Sequence, residues 1–224
     1  MDVKKQYDKI GKDYCKLQEQ FFSKKIDWSH KTIELLLPNL VGKKVLDLGC
    51  GYGRAIKLYE SLGAKDNYGV DVCKNLIEEG KKLVSKPQNL FVANMEKMPF
   101  ENGFFDVVVG RFSLHYLKNF EKAYREIARV MKSGAILILI VHHPIYDLIR
   151  QKKKNYGKQE IIIGNLFNNK IKLQFPSHTL WDYFSKEFFN KFQLVDFVEG
   201  QGLAELRIND FKVPTFMAIK AIKK

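Results

Sequence analysis

A chain of 224 residues, 46% of them hydrophobic, is long enough to bury the core of one α/β domain. No stretch approaches the roughly 20 apolar residues of a membrane-spanning helix, and the opening MDVKKQYDKI lacks the apolar run of a signal peptide, so a cytoplasmic protein without membrane contact is expected. The net charge of +13 raises a nucleic-acid partner, but lysines are spread through every segment, the main run being Lys152, Lys153 and Lys154, so a solvated basic surface is favoured.

In chain order, Tyr7, Ile10, Tyr14, Leu17 and Phe21 recur at helical spacing within residues 2–22, and a second helix over 31–37 stops before Pro38. An alternation follows: strand 44–48, helix 54–62, strand 67–71, helix 75–84, strand 90–93, strand 105–110 and helix 120–131. It ends in an uninterrupted apolar strand at 135–141, of the kind buried on both faces. This rhythm predicts a doubly wound, mostly parallel α/β sheet. After His143 the pattern changes. Short β-like runs between 156 and 175 flank the turn-prone Asn168-Asn169, and Thr179 with Asp182 resembles a helix start, so a cap over the sheet edge is expected. The last two strands, over 193–198 and 216–222, are expected to pair with each other. The whole reads as one domain: N-terminal helices in 1–40, a binding core in 41–143, a cap segment and helix in 144–192, and a strand pair in 193–224.

The central motif is Val45-Leu46-Asp47-Leu48-Gly49-Cys50-Gly51-Tyr52-Gly53, a strand running into a glycine-rich turn that opens a helix. Glycines let the backbone approach a ligand closely. A dinucleotide fingerprint would need glycine where Arg54 stands, which disfavours a nicotinamide cofactor. Asp71, about 20 residues beyond the loop at the next strand's end, is placed to accept both hydroxyls of a ribose. Together they predict an adenosine derivative as ligand. Cys15, Cys50 and Cys73 form no CxxC pair and no zinc-like spacing, so neither disulfides nor a metal site is expected.

With these motifs, residues 43–141 resemble the class I methyltransferases, in particular the small type 11 family. The resemblance implies a three-layer, doubly wound, mostly parallel seven-stranded sheet with a small cap insertion after strand five. It implies S-adenosyl-L-methionine as cofactor and S-adenosyl-L-homocysteine as product. In that family the loop matching Gly49, Cys50, Gly51 and Gly53 contacts the methionine part, the acid matching Asp47 faces the ammonium, and Asp71 holds the ribose, with Val72 beside it. The physics agrees, because an ammonium pairs with a carboxylate and a carboxylate is favoured at a helix N-terminus. Asn94-Met95-Glu96-Lys97-Met98-Pro99-Phe100 is similar to the family's D-A-x-x-L-P-F segment. Asn94 stands where the acid accepts a hydrogen bond from the adenine amino group, and accepts it without charge. Residues 104–110 resemble the family's fourth strand and Arg111-Phe112-Ser113-Leu114-His115-Tyr116-Leu117 its following turn; the resemblance puts Gly110 and Arg111, with Met95 beside Asn94, in the cofactor-binding set. Tyr14 lies in a segment similar to the helix that closes over the cofactor.

Methyl transfer from a sulfonium is an in-line displacement, so alignment in a water-poor pocket supplies much of the catalysis. A hydroxyl or protonated amine as acceptor needs a base, and histidine suits it. His143, beside His142 after the fifth strand, is favoured for substrate contact and His115 after the fourth is the second candidate; His178 either reaches the pocket from the cap or helps cap its helix. The aromatic residues Trp181, Tyr183, Phe184, Phe188 and Phe189 read mainly as core. A small-molecule acceptor is favoured, for a monomer or homodimer. The alternative is transfer to tRNA or rRNA, suggested by the net charge and by Arg150 next to the lysine run, though no N-P-P-Y tetrad follows strand four. A third reading is a cofactor-binding scaffold without turnover.

Overall fold

The computed structural model describes residues 2–23, 26–151, 155–202, 207–208 and 210–224. Two helices lead, α1 (Val3–Phe22) and α2 (Trp28–Leu36). The second begins earlier than its apolar spacing suggests because Asp27 caps it, the carboxylate accepting the His30 N–H. Strands and helices then alternate as β1 (Lys44–Leu48), α3 (Arg54–Ser61), β2 (Asp66–Asp71), α4 (Lys74–Lys81), β3 (Leu90–Val92), β4 (Phe105–Arg111), α5 (Glu121–Val130) and β5 (Met131–His142). Next come α6 (Pro144–Arg150), a hairpin of β6 (Ile161–Leu166) and β7 (Ile171–Pro176), and two short helices, α7 (Leu180–Tyr183) and α8 (Lys186–Lys191). The chain closes with β8 (Phe192–Gly200), the small pair β9 (Arg207–Ile208) and β10 (Phe211–Lys212), and β11 (Phe216–Lys223).

Seven strands form one sheet in the order β3-β2-β1-β4-β5-β11-β8. Neighbours are parallel from β3 through β5, and β11 runs antiparallel to both β5 and β8, so the two C-terminal strands do pair with each other. Side chains alternate between two cores. Leu46, Leu48, Val108, Leu137 and Leu139 pack on the side of α5 and α8, while Val45, Val107, Val109, Ile138 and Ile140 pack on the side of α2, α3 and α4. Helices on both faces explain why β5 carries an unbroken apolar run. Its first residues were not legible as strand: Lys132, Ser133 and Gly134 sit where the β4 register slips between Phe105 and Val107, a bulge that looks like a turn in sequence.

From β1 the chain winds outward to β2 and β3, then returns to place β4 on the opposite side of β1. Connections leaving β1 and β4 therefore diverge, and a crevice opens at their carboxyl ends. Over that end lies the β6–β7 hairpin, with Phe167, Asn168 and Asn169 in left-handed conformation at its turn. Gln6 of α1 locks to β7 by a reciprocal pair, Gln6 Nε2 donating to the Gln174 carbonyl at 3.0 Å and the Gln174 N–H donating to Gln6 Oε1 at 2.7 Å. Helix and hairpin thus form a roof. The expected helix start at Thr179 is present as a reciprocal cap, Asp182 N–H to Thr179 Oγ1 and Thr179 N–H to the Asp182 carboxylate. Among the described residues no helix is long and apolar enough to cross a membrane.

Ile140 is 0% exposed near the carboxyl end of β5. Ile140→Ala should lower the unfolding free energy by about 2–5 kcal/mol with an unchanged urea m-value; a loss below about 1 kcal/mol would contradict two-faced packing at this position.

Candidate active site

At the crevice lies a cavity of about 350 Å³. Its floor is the glycine loop after β1. Gly49 and Gly53 have φ of +67° and +76°, conformations open to glycine at little cost, and a Cβ on Gly49 would run into Ser113 at the exit of β4. The loop is pinned to β2 by the Gly49 and Cys50 N–H groups, both donating to the Val70 carbonyl. Asp71 binds the loop from the side: its Oδ2 accepts the Gly51 N–H at 2.9 Å and its Oδ1 the Cys73 N–H at 2.8 Å. Burial raises the Asp71 pKa and these two amides oppose the rise. Each oxygen keeps a lone pair for a further donor.

Asp47, 3% exposed at the end of β1, has no hydrogen-bond partner among the described residues. Burial lifts its pKa to about 7, against the pull of the Arg111 guanidinium and with a push from Asp71. Asn94 and Met95, past β3, also line the cavity, as do Val72 and Tyr14. Asn94 Oδ1 accepts the Glu96 N–H at 2.9 Å, which fixes the turn and leaves one lone pair free.

Asp27 escapes a sequence reading. It accepts from Arg54 Nη1 at 2.9 Å and from Arg111 Nη1 at 2.8 Å, and the Ser29 hydroxyl donates to it at 2.6 Å. Burial alone would raise its pKa, but Arg111, Ser29, the His30 amide and Arg54 together hold it below the ordinary carboxylate range. Arg111 thus reaches the cavity as a paired cation. Tyr7 and Tyr116, hydroxyl to hydroxyl at 2.8 Å, were likewise not foreseen.

The histidines separate sharply. His143 does not line the cavity: it caps α6, Nδ1 accepting the Ile145 N–H, and its Nε2 meets Glu199 Oε1 at 2.7 Å. Both ring nitrogens are engaged away from the site favoured for it. His115 does line it, buried, with a pKa driven well down by burial and by the neighbouring His142 and His178. His178 spends its Nε2–H on the His115 carbonyl at 2.9 Å. Its helix is capped by Thr179 instead. His142, one residue before His143, lines the cavity. Gly53 and Gly110 lie behind the wall: Gly53 caps α3, and a Cβ on Gly110 would press on Leu139. The lysine run at 152–154 lies outside the described residues.

Residues 46–139 match the family model described as a methyltransferase domain. The chain is 34% identical over 140 residues to a protein of Haemophilus influenzae, and 30% identical over 179 residues to the demethylmenaquinone methyltransferase of Lactococcus lactis. These alignments cover 58% and 76% of this chain, and span 55% and 71% of the respective relatives, so only about half of the Haemophilus protein's length is represented. A crystal structure of an S-adenosylmethionine-dependent methyltransferase from Listeria monocytogenes superposes with a TM-score of 0.73 at 22% identity, over 88% of this chain and 98% of that one, which speaks for the fold.

An unfolded carboxyl ionises near pH 4 and Asp47 in the fold at about 7, so the penalty of its burial is absent below pH 4, grows between the two values and is complete above 7. Asp47→Asn should therefore stabilise the ligand-free protein at pH 8, by up to roughly 4 kcal/mol, with the gain shrinking toward pH 4. Thermal unfolding across that range checks it, and an equal effect at both ends would contradict the unpaired charge.

Proposed function

The chain belongs to the S-adenosylmethionine-dependent class I methyltransferases, and we propose that it transfers a methyl group from that cofactor to a small molecule held under the roof of α1 and the β6–β7 hairpin. The observation that carries this is the roofed cavity of about 350 Å³, with carboxylates at the ends of β1 and β2 and an aromatic compartment at the ends of β4 and β5. Enclosed pockets of this kind take small ligands. When bound, the cofactor supplies an electrophilic methyl group on a sulfonium.

Asp47 accepts the ammonium, which explains a buried acid left without a protein partner. The backbone of Gly49, Cys50 and Gly51 follows the methionine chain, and the N-terminus of α3 favours its carboxylate. Asp71, steadied by its two amides and flanked by Val72, accepts the ribose hydroxyls. Asn94 and Met95 meet the adenine, and Tyr14 closes from above. Gly53 and Gly110 serve by packing, and Arg111 by its tie to Asp27. Residues 41–143 form the cofactor-binding core of a single methyltransferase domain, residues 1–40 and 144–192 supply its roof, and residues 193–224 complete the sheet. A flat acceptor suits the aromatic compartment, and the relative from Lactococcus lactis is named for such a molecule.

S-adenosylhomocysteine release should appear when protein and S-adenosylmethionine meet a small-metabolite extract of the producing cells, and not with bulk RNA. Release with RNA alone would overturn the small-molecule acceptor, and silence in both would overturn transfer. Asp71→Ala should weaken cofactor binding more than tenfold in calorimetry, a loss above about 1.4 kcal/mol. Since Asp47 must be ionised to pair with an ammonium and its pKa is about 7, wild-type affinity should fall as pH drops from 7 to 5, where the cofactor's ammonium is fully charged, approaching tenfold per unit at the low end, and Asp47→Asn should flatten the dependence.

A further inference from the structure

His142 is the last residue of β5, and its ring stands among Phe112, His115 and Phe175, with ring centroids 5.3, 4.7 and 4.8 Å away. All four line the cavity. The two nitrogens of His142 face different surroundings. Nδ1 is buried and points toward Asp147 of α6, whose Oδ1 lies 3.4 Å away without hydrogen-bond alignment. Asp147 is itself 6% exposed. Nε2 has no partner among the described residues and is not among the buried unpartnered atoms, so it stays accessible on the cavity side. A carboxylate behind one nitrogen and an open site before the other is the arrangement by which an imidazole is held as a base, the acid selecting the Nδ1–H tautomer and leaving the Nε2 lone pair free.

The other histidines do not compete for this part. His143 is engaged at both nitrogens, His178 is bonded to the His115 carbonyl, and burial keeps His115 a weak base. The lining on this side of the cavity narrows the acceptor. Arg150 lines it, its guanidinium over the Tyr146 ring and Nη1 donating to the Tyr146 hydroxyl at 3.2 Å, and no carboxylate among the described residues pairs with it. Arg150 is exposed and the Asp147 carboxylate lies on the same side, so the aromatic walls of Phe112, His115 and Phe175 rather than a net charge favour a flat acceptor. A neutral imidazole has the strength to deprotonate an acidic hydroxyl rather than an aliphatic alcohol.

We infer that His142, positioned by Asp147, is the general base of the reaction, and that the acceptor is a flat phenol or enol methylated on oxygen. The inference rests on the methyltransferase reading above. In the step, the acceptor oxygen forms the new O–C bond to the methyl carbon while the C–S bond breaks; the bonding pair returns to sulfur, leaving a neutral thioether, and the hydroxyl proton passes to His142 Nε2. Asp147 stabilises the imidazolium that results.

Three measurements decide it. The first needs no acceptor: long-range nitrogen–proton NMR of the S-adenosylhomocysteine complex at alkaline pH should show His142 protonated on Nδ1 with a bare Nε2, and Asp147→Asn should lose that bias. The opposite tautomer in the wild type overturns the pair. In the second, S-adenosylhomocysteine release with the small-metabolite extract should fall about a hundredfold in His142→Ala, within the usual range for losing a general base. Cofactor affinity should stay within twofold, and added imidazole should restore part of the rate, a rescue that a packing role would not give. Retained turnover, or loss of affinity in step with rate, overturns the base. With carbon-13 methyl-labelled cofactor, the label in the product should carry the shift of a methoxy carbon, and an N-, S- or C-methyl signal overturns the hydroxylic acceptor. Silence of the wild type despite cofactor binding would sink the transfer reading and this step with it, while the tautomer still decides the pair.

Discussion

One carboxylate, Asp27, holds together three segments that enclose the cavity on the side of the glycine loop. It caps α2, accepts Arg54 from the first turn of α3, and accepts Arg111 from the end of β4. Its side chain is 9% exposed and the two guanidiniums 23% and 15%, so the triad is screened only partly by water. Removing one partner from such a cluster is far more damaging than the cluster is stabilising, because the charges left behind remain desolvated. Helix α2 therefore holds its place over the sheet by an electrostatic knot as well as by the apolar contacts of Ile33 and Leu36. Since Arg111 also draws down the pKa of Asp47, the same knot sets how much charge the floor of the cavity carries.

Polarity across the cavity follows from strand order. The ends of β1 and β2 deliver Asp47 and Asp71 to one side, and the end of β5 with the first turns of α6 delivers His142, Tyr146 and Arg150 to the other. Aromatic rings from β4's exit and from β7 lie between them, Phe112 and Phe175 both packing against His142. Phe112 keeps a φ of +49°, a conformation that costs a non-glycine residue on the order of 1 kcal/mol or more and persists where the surroundings over-determine it. Here the surroundings are the His115 and Phe216 rings and the bond from the Phe112 N–H to the Ile140 carbonyl.

What was legible in the sequence is what lies close along the chain. The glycine spacing, Asp47 and Asp71 are within one βαβ unit, and the period-two and helical patterns around them report burial directly. Asp27 was not legible because its partners stand at positions 54 and 111, and nothing local distinguishes a capping aspartate from one that also binds two arginines. The exchange of His142 for His143 has a sharper cause. Adjacent residues at a strand end face opposite ways, so which of two neighbouring histidines enters the cavity depends on strand register, fixed here by pairing of His142 with Phe216 across β5 and β11. That pairing joins positions far apart in sequence. His143 falls past the strand, where its backbone N–H turns to the Thr215 carbonyl and its ring becomes a helix cap.

A buried acid near neutrality, a serine hydroxyl at position 113 without a partner among the described residues, and Phe112 held in a left-handed conformation are each unfavourable for a fold considered alone. They are gathered at the one place where β1 and β4 part, and the large cores on either face of the sheet offset them. In the function proposed above these features are answered by the cofactor: its ammonium would pair with Asp47, its ribose would use the free lone pairs of Asp71, and binding to the folded state alone would shift the unfolding equilibrium further. On that proposal the loop, the two acids and the roof over them are parts of one arrangement, in which groups that cost the fold stability would contribute affinity for the cofactor.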